Sequence, residues 1–154
     1  MSWWQNLLTK AHLSRTALEA VINSSHEGIV VCRAVHNWKR DVTDFEFVLN
    51  NHKASEFLDR PSDQIVGRRL LNFLDPVQSE ACFARYLQVY KTGEELQTEI
   101  PSKVDSVDHW YRTRIKKIES GIVTFFEDIT IEKYSGGDQA ALNGMKEALL
   151  QTPS

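Results

Sequence analysis

Two cysteines, five histidines and 21 acidic residues are the side chains from which this 154-residue chain could build chemistry. Cys32 and Cys82 lie in separate apolar segments with no Cys-x-x-Cys spacing. That pattern favours two buried, reduced thiols over a disulfide, and a cytoplasmic compartment with them. His12, His26, His36, His52 and His109 show no HxxxH or comparable ligand spacing, so no metal site is expected. The carboxylates are plentiful, but none are spaced to flank a substrate. Gly-x-Ser-x-Gly, P-loop, HExxH and Rossmann glycine patterns are all missing, so no catalytic residue is nominated and no enzyme is expected. A net charge of −3 gives no bulk attraction to nucleic acid or anionic lipid. Trp3-Trp4 and Leu7-Leu8 near the start are joined neither to a basic region nor to an apolar run long enough to span a membrane. Neither nucleic acid nor membrane is therefore expected as a partner.

The elements that must position whatever site exists can be read from periodicity. Residues 3–23 have helical spacing, and as heptads Trp4, Leu7, Ala11, Ser14, Leu18 and Val21 fall on one seam. Such a helix must pack on something, either the chain's own sheet or a second copy. Ile29–Val35 is a β-branched strand, and Phe45–Leu49 is a second, with Phe45, Phe47 and Leu49 expected on one buried face. A short helix, Lys53–Leu58, follows, and then a turn in which Ser62 is expected to cap one helical turn ending at Gly67. Asp75-Pro76 opens a long helix that runs to Thr92 and stops at Gly93. Val77, Ala81, Ala84 and Leu87 share one of its faces; Cys82, Tyr86 and Val89 form a second stripe, and either face could meet a sheet. Three strands close the pattern: Leu96–Ile100, expected to stop at Pro101; Trp110–Lys116; and one from Gly121 to Thr130 after a tight Glu119-Ser120-Gly121 hairpin. Hairpin-linked strands with helices grouped between them indicate an α+β fold with an antiparallel sheet. The division expected is 1–23 as a leading amphipathic helix, 24–133 as the domain, and 134–154 as a linker and C-terminal helix.

This order resembles a PAS domain over roughly residues 17–133. The resemblance rests on Gly28-Ile29-Val30 opening the first strand, Asn51-His52-Lys53-Ala54 with Leu58 after the second, and Ile65-Val66-Gly67-Arg68 before the long helix. Tyr90-Lys91-Thr92-Gly93-Glu94 at that helix's end and the strand-end triplet Asp128-Ile129-Thr130 complete it. The resemblance implies a five-stranded antiparallel sheet with a cavity between sheet and long helix. It also implies a sensory or dimerising module that acts with an effector domain of histidine kinase or diguanylate cyclase type. Flavin-adduct relatives carry a reactive cysteine where this chain has Leu70, and haem-binding relatives a histidine where it has Cys82 or Phe83. The cofactor, if there is one, stays unknown at this point.

The expected pocket wall is Val31, Phe47, Leu49, Leu70, Phe73, Leu87, Tyr111, Ile115, Val123 and Phe125. The basic stripe Arg112, Arg114 and Lys116 is expected to pair with Glu99, Glu127 and Asp128 on neighbouring strands. Asp128, Ile129 and Thr130 are the expected transmission point, where a strand-end acid either caps the next segment or pairs with an arginine. Trp4, Leu7, Ala11, Leu18 and Val21 are the expected dimer seam. Ser135-Gly136-Gly137-Asp138 interrupts the outgoing helix before a separate one over Gln139–Leu150. The reading is a homodimeric sensor that binds a small ligand or a partner; the alternatives are a haem- or flavin-bearing sensor and a ligand-free module that only pairs chains.

Overall fold

The β-branched run after Gly28 forms β1 (Gly28–His36), which pairs antiparallel with β2 (Val42–Asn50). A computed structural model describes residue 14, residues 16–104 and residues 106–135, with the side chains of residues 103 and 104 excepted. Trp4, Leu7 and Ala11 of the expected seam lie outside these residues, as does the helix over Gln139–Leu150. Residues 16–23 are helical (α1) and precede β1. After β2 come α2 (His52–Leu58), 3-10 turns at Ser62–Gln64 and Leu70–Asn72, and α3 (Pro76–Thr92). Three strands follow, β3 (Leu96–Val104), β4 (Val107–Ile118) and β5 (Gly121–Asp128), and then α4 (Thr130–Ser135). The sheet order is β2-β1-β5-β4-β3, with every neighbouring pair antiparallel.

Local chemistry fixes the joints. Asn51 is 1% exposed and satisfies its whole amide. Its Oδ1 accepts from the backbone N–H groups of Ile29 (2.8 Å) and Ala54 (2.9 Å), and its Nδ2 donates to the carbonyls of Ile22 (2.6 Å) and Glu27 (2.9 Å). One side chain thus ties α1, β1 and α2 together, and no buried polar atom of Asn51 is left unpaired. Asp75 caps α3 by accepting from the Gln78 N–H at 3.0 Å, and Gly93 ends it at φ 74°. Ser62 does not cap its turn; Asn50 Nδ2 donates to its hydroxyl at 3.0 Å instead. At Gly121 a Cβ would stand 1.9 Å from the Cys32 carbonyl oxygen, so only glycine lets β5 lie this close to β1.

Helices α2 and α3 pack on one face of the sheet. There Val30, Cys32 and Ala34 of β1, Phe45 and Phe47 of β2, Ile115 of β4 and Ile122 of β5 form the core with Tyr86 and Val89 of α3. The stripe Cys82, Tyr86 and Val89 is therefore the one that meets the sheet, and Val77 is 77% exposed. β3 does not stop at Pro101, which pairs with Trp110 inside the strand. β3 is a sheet edge, where a missing N–H costs no ladder bond. The β1–β2 register shifts where Val31 faces Leu49 but Cys32 faces Phe47, leaving Val48 as an extra residue. That bulge reverses the facing of everything beyond it on β2.

Candidate functional site

Between α3 and the inner face of the sheet lies a cavity of about 450 Å³. The sheet supplies Val30, Phe47, Thr113, Ile115, Thr124 and Phe126; α2 supplies Phe57 and Leu58. Leu70, Phe73 and Leu74 close one end, and α3 contributes Val77, Gln78, Ala81, Cys82, Arg85 and Tyr86. The last wall is Ile100, Pro101 and Ser102 of β3. These α3 positions recur at intervals of one helical turn, which is why one ridge of the helix lines the whole length of the cavity.

Of the expected wall, Phe47, Leu70, Phe73 and Ile115 line this cavity. Six residues do not. Val31, Leu49, Val123 and Phe125 lie on the opposite face, since Val31 pairs with both Leu49 and Val123, and cross-strand partners share a face. On β1 and β5 the inner set is the other parity: Val30 where Val31 was expected, Thr124 and Phe126 where Val123 and Phe125 were. Leu49 is turned outward by the Val48 bulge. Leu87 belongs to the α3 face that the sheet does not engage. Tyr111 is on the inner face but is taken up by Phe57, whose ring meets it edge-on at 4.2 Å. Among the residues the sequence reading missed, Cys82 and Tyr86 were signalled by the second α3 stripe, whereas nothing in the periodicity distinguished Arg85.

The deep wall carries neutral polar groups. Thr124 Oγ1 donates to the Tyr86 hydroxyl at 2.7 Å. Burial pushes the Tyr86 phenol well above its ordinary value, and raises the Cys32 thiol likewise, with Cys82 and Asp44 adding to it. Burial also pushes the Cys82 thiol up to about 11, against the smaller opposing pull of Arg85 and a hydrogen bond with Tyr86. Cys82 is thus a protonated thiol at neutral pH, poorly suited to ligate haem iron as a thiolate. Leu70, 1% exposed on the cavity wall, offers no nucleophile to a flavin.

The outer face is different. Arg112 reaches Glu132 of α4 at 2.8 Å, Glu127 of β5 at 3.3 Å and Glu99 of β3 at 3.5 Å. Lys133 of α4 bonds Glu99 at 2.8 Å, Arg114 bonds Glu27 at 2.8 Å, and Lys116 approaches Glu95 at 3.8 Å. Among the described residues Asp128 pairs with no arginine; its Oδ2 lies 3.7 Å from His109 Nδ1. Its Oδ1 accepts from the Thr130 N–H at 3.0 Å and from the Thr130 hydroxyl. Burial pushes the Asp128 carboxyl up, but the two Thr130 bonds and His109 together hold it below its ordinary value. Ile129, 2% exposed, donates its N–H to the Trp110 carbonyl at 2.8 Å, and Trp110 donates to Thr130 Oγ1 at 3.0 Å. The triplet therefore fastens the start of α4 to β4. Of the expected seam, Leu18 and Val21 are 51% and 65% exposed.

No family model matches the sequence, and no curated protein does. Solved structures do match in fold. The PAS domain of BvgS from Bordetella pertussis aligns with a TM-score of 0.62 at 12% identity, covering 90% of this chain and 98% of that one. A PAS domain from Colwellia psychrerythraea gives 0.55 at 14% identity, with 77% and 97% covered. A domain of a sensory box sensor histidine kinase/response regulator from Geobacter sulfurreducens gives 0.55 at 13%, with 77% and 96% covered. The alignments extend over most of this five-stranded antiparallel sheet and its helices, so the chain has the fold of a PAS domain.

Proposed function

We propose that this chain is a sensory module which holds a small molecule between α3 and the sheet and passes its occupancy to α4. The cavity carries this reading. At about 450 Å³ it falls in the range of roughly 300–1,000 Å³ typical of small-molecule sites, and its wall is mainly apolar with a few polar groups. β4 and β5 provide the link. Thr113, Ile115, Thr124 and Phe126 line the cavity on one face, while on the other Arg112, itself paired with Glu127, holds Glu132 of α4. A ligand that prefers one packing of these strands would bias α4 through that shared backbone. In this reading α4 leads toward an effector of the kinase or cyclase kind, in an intracellular setting. Among the described residues, no helix is long and apolar enough to cross a membrane.

A second reading is chain pairing, favoured by Leu18 and Val21, which stand one helical turn apart and exposed on α1. The readings separate on protein purified without added cofactor. Native mass spectrometry showing extra small-molecule mass, with no visible absorption, supports the sensor. A flavin or haem band would redirect it to a cofactor-bearing sensor. A mass-clean protein whose concentration-dependent dimer is lost in Leu18→Glu/Val21→Glu would favour pairing alone.

A further inference from the structure

Arg85 is the one cation on the cavity wall among the described residues, and the wall contains no aspartate or glutamate. The arginines of the sheet's outer face behave otherwise: Arg33, Arg112 and Arg114 each sit against a carboxylate. Arg85 is half-buried on α3 and, among the described residues, has no carboxylate within ion-pair distance. Two more polar side chains on the wall are Gln78, two turns before Arg85 on α3, and Ser102 on β3. Of the rest of the wall, Phe47, Leu70, Phe73, Ile115 and Phe126 are hydrocarbon, and the buried polar groups Tyr86, Thr113 and Thr124 are neutral. A half-desolvated guanidinium without a counter-ion is costly to keep, and its planar fork of donors matches a carboxylate.

We propose that the cavity takes an amphipathic carboxylate, its acid group on Arg85 and its apolar body along Phe47, Leu70, Phe73 and Ile115. The inference rests on the sensor reading above and adds the ligand's class. A neutral apolar molecule would fill the same space but leave the guanidinium unpaired. A cation would be repelled with no acidic group on the wall to compensate. A dicarboxylate would bring its second charge to a wall that has no second cation among the described residues.

The test is calorimetric titration of protein stripped of co-purifying small molecules. The probes are octanoate below its micellar concentration, octan-1-ol and octyl phosphate. A charge-assisted bond to Arg85 predicts octanoate binding between roughly ten- and a hundredfold tighter than octan-1-ol. In Arg85→Gln that advantage falls to within about twofold, because the lost term is the charged bond while the apolar contacts remain. Arg85→Lys, which keeps the charge and loses the fork, retains part of it. Equal binding of octanoate and octan-1-ol to the wild type overturns the headgroup assignment and leaves the sensor cavity standing. Tighter binding of octyl phosphate than octanoate overturns the carboxylate in favour of a phosphate head. If none of the three binds, the cavity reading falls together with the proposal.

Discussion

On the outer face of the sheet Arg33, Arg112, Arg114 and Lys116 each lie against a carboxylate, whereas on the inner side Arg85 opens onto a cavity that holds none. The outer charges form rows that follow strand register, such as Glu99–Arg112–Glu127 across β3, β4 and β5. Exposed pairs of this kind contribute little one by one and are weakened by salt. Their use here is geometric, because Glu132 and Lys133 join the rows and anchor α4 to the sheet. The inner face holds the fold together by burial, with Phe45, Ile65 and Ile122 fully enclosed. One backbone therefore serves two environments: a desolvated side that lines the cavity, and a wet side that holds α4.

The strongest way to break that division is to separate β1 from β5, which carry both faces. Gly121→Ala forces a Cβ into the Cys32 carbonyl, and a loss of about 4 kcal/mol or more, with no cooperative melt above room temperature, is expected. Calorimetry reads this, and a melt within a few degrees of wild type would contradict the packing described. Tyr86→Phe acts on the inner face alone. It strands the Thr124 hydroxyl, at a cost of about 1–3 kcal/mol in denaturant unfolding, and adding Thr124→Val should restore much of the loss.

Solution pH should sharpen the contrast, because the two faces titrate in opposite directions. Glu99 and Glu46 are held below their ordinary value of 4.5 by hydrogen bonds from Lys133 and Arg33 respectively. Their contribution is present above that value and is lost as pH falls below it through the folded-state values, an outer-face effect that added salt suppresses. Cys82 runs the other way. Its folded value of about 11 lies above the ordinary 9.0, so its contribution is complete below pH 9.0 and is lost as pH rises toward about 11. Unfolding measured across both limbs, at low and high salt, should show salt dependence only on the acid side. The smallest global effect belongs to Arg112→Gln. Hydrogen exchange should show faster exchange at the Lys133 amide of α4, while the amides of β1 stay protected.

The architecture was legible because its punctuation is chemical. Asp75-Pro76 and Gly93 mark both ends of α3, and Glu119-Ser120 marks the β4–β5 hairpin. Sites were harder to read, since a wall residue depends on facing and not only on type. β1 is apolar at Ile29, Val30 and Val31 alike, so its alternation carries no sign; Asn51 and the β5 register decide that Val30 points inward. Phe45, Phe47 and Leu49 alternate without a fault in sequence, yet the bulge at Val48 sends Leu49 outward. Such a bulge is set by tertiary pairing and leaves no mark in local composition. Pro101 read as a strand end because edge position is a property of the sheet and not of the segment. Nothing in the local sequence separates Arg85 from other helix cations; what sets it apart is that no carboxylate among the described residues lines the cavity with it.

The most direct test of the central claim compares native mass spectra of the wild type and Ala81→Trp, both purified under the same mild conditions. Ala81 is exposed on α3 and lines the cavity, so an indole there should fill the space without disturbing the helix's contact with the sheet. Small-molecule mass is expected on the wild type and none on the folded variant. An occupant retained by Ala81→Trp, or a wild type that carries none and gains none from added octanoate, would contradict it.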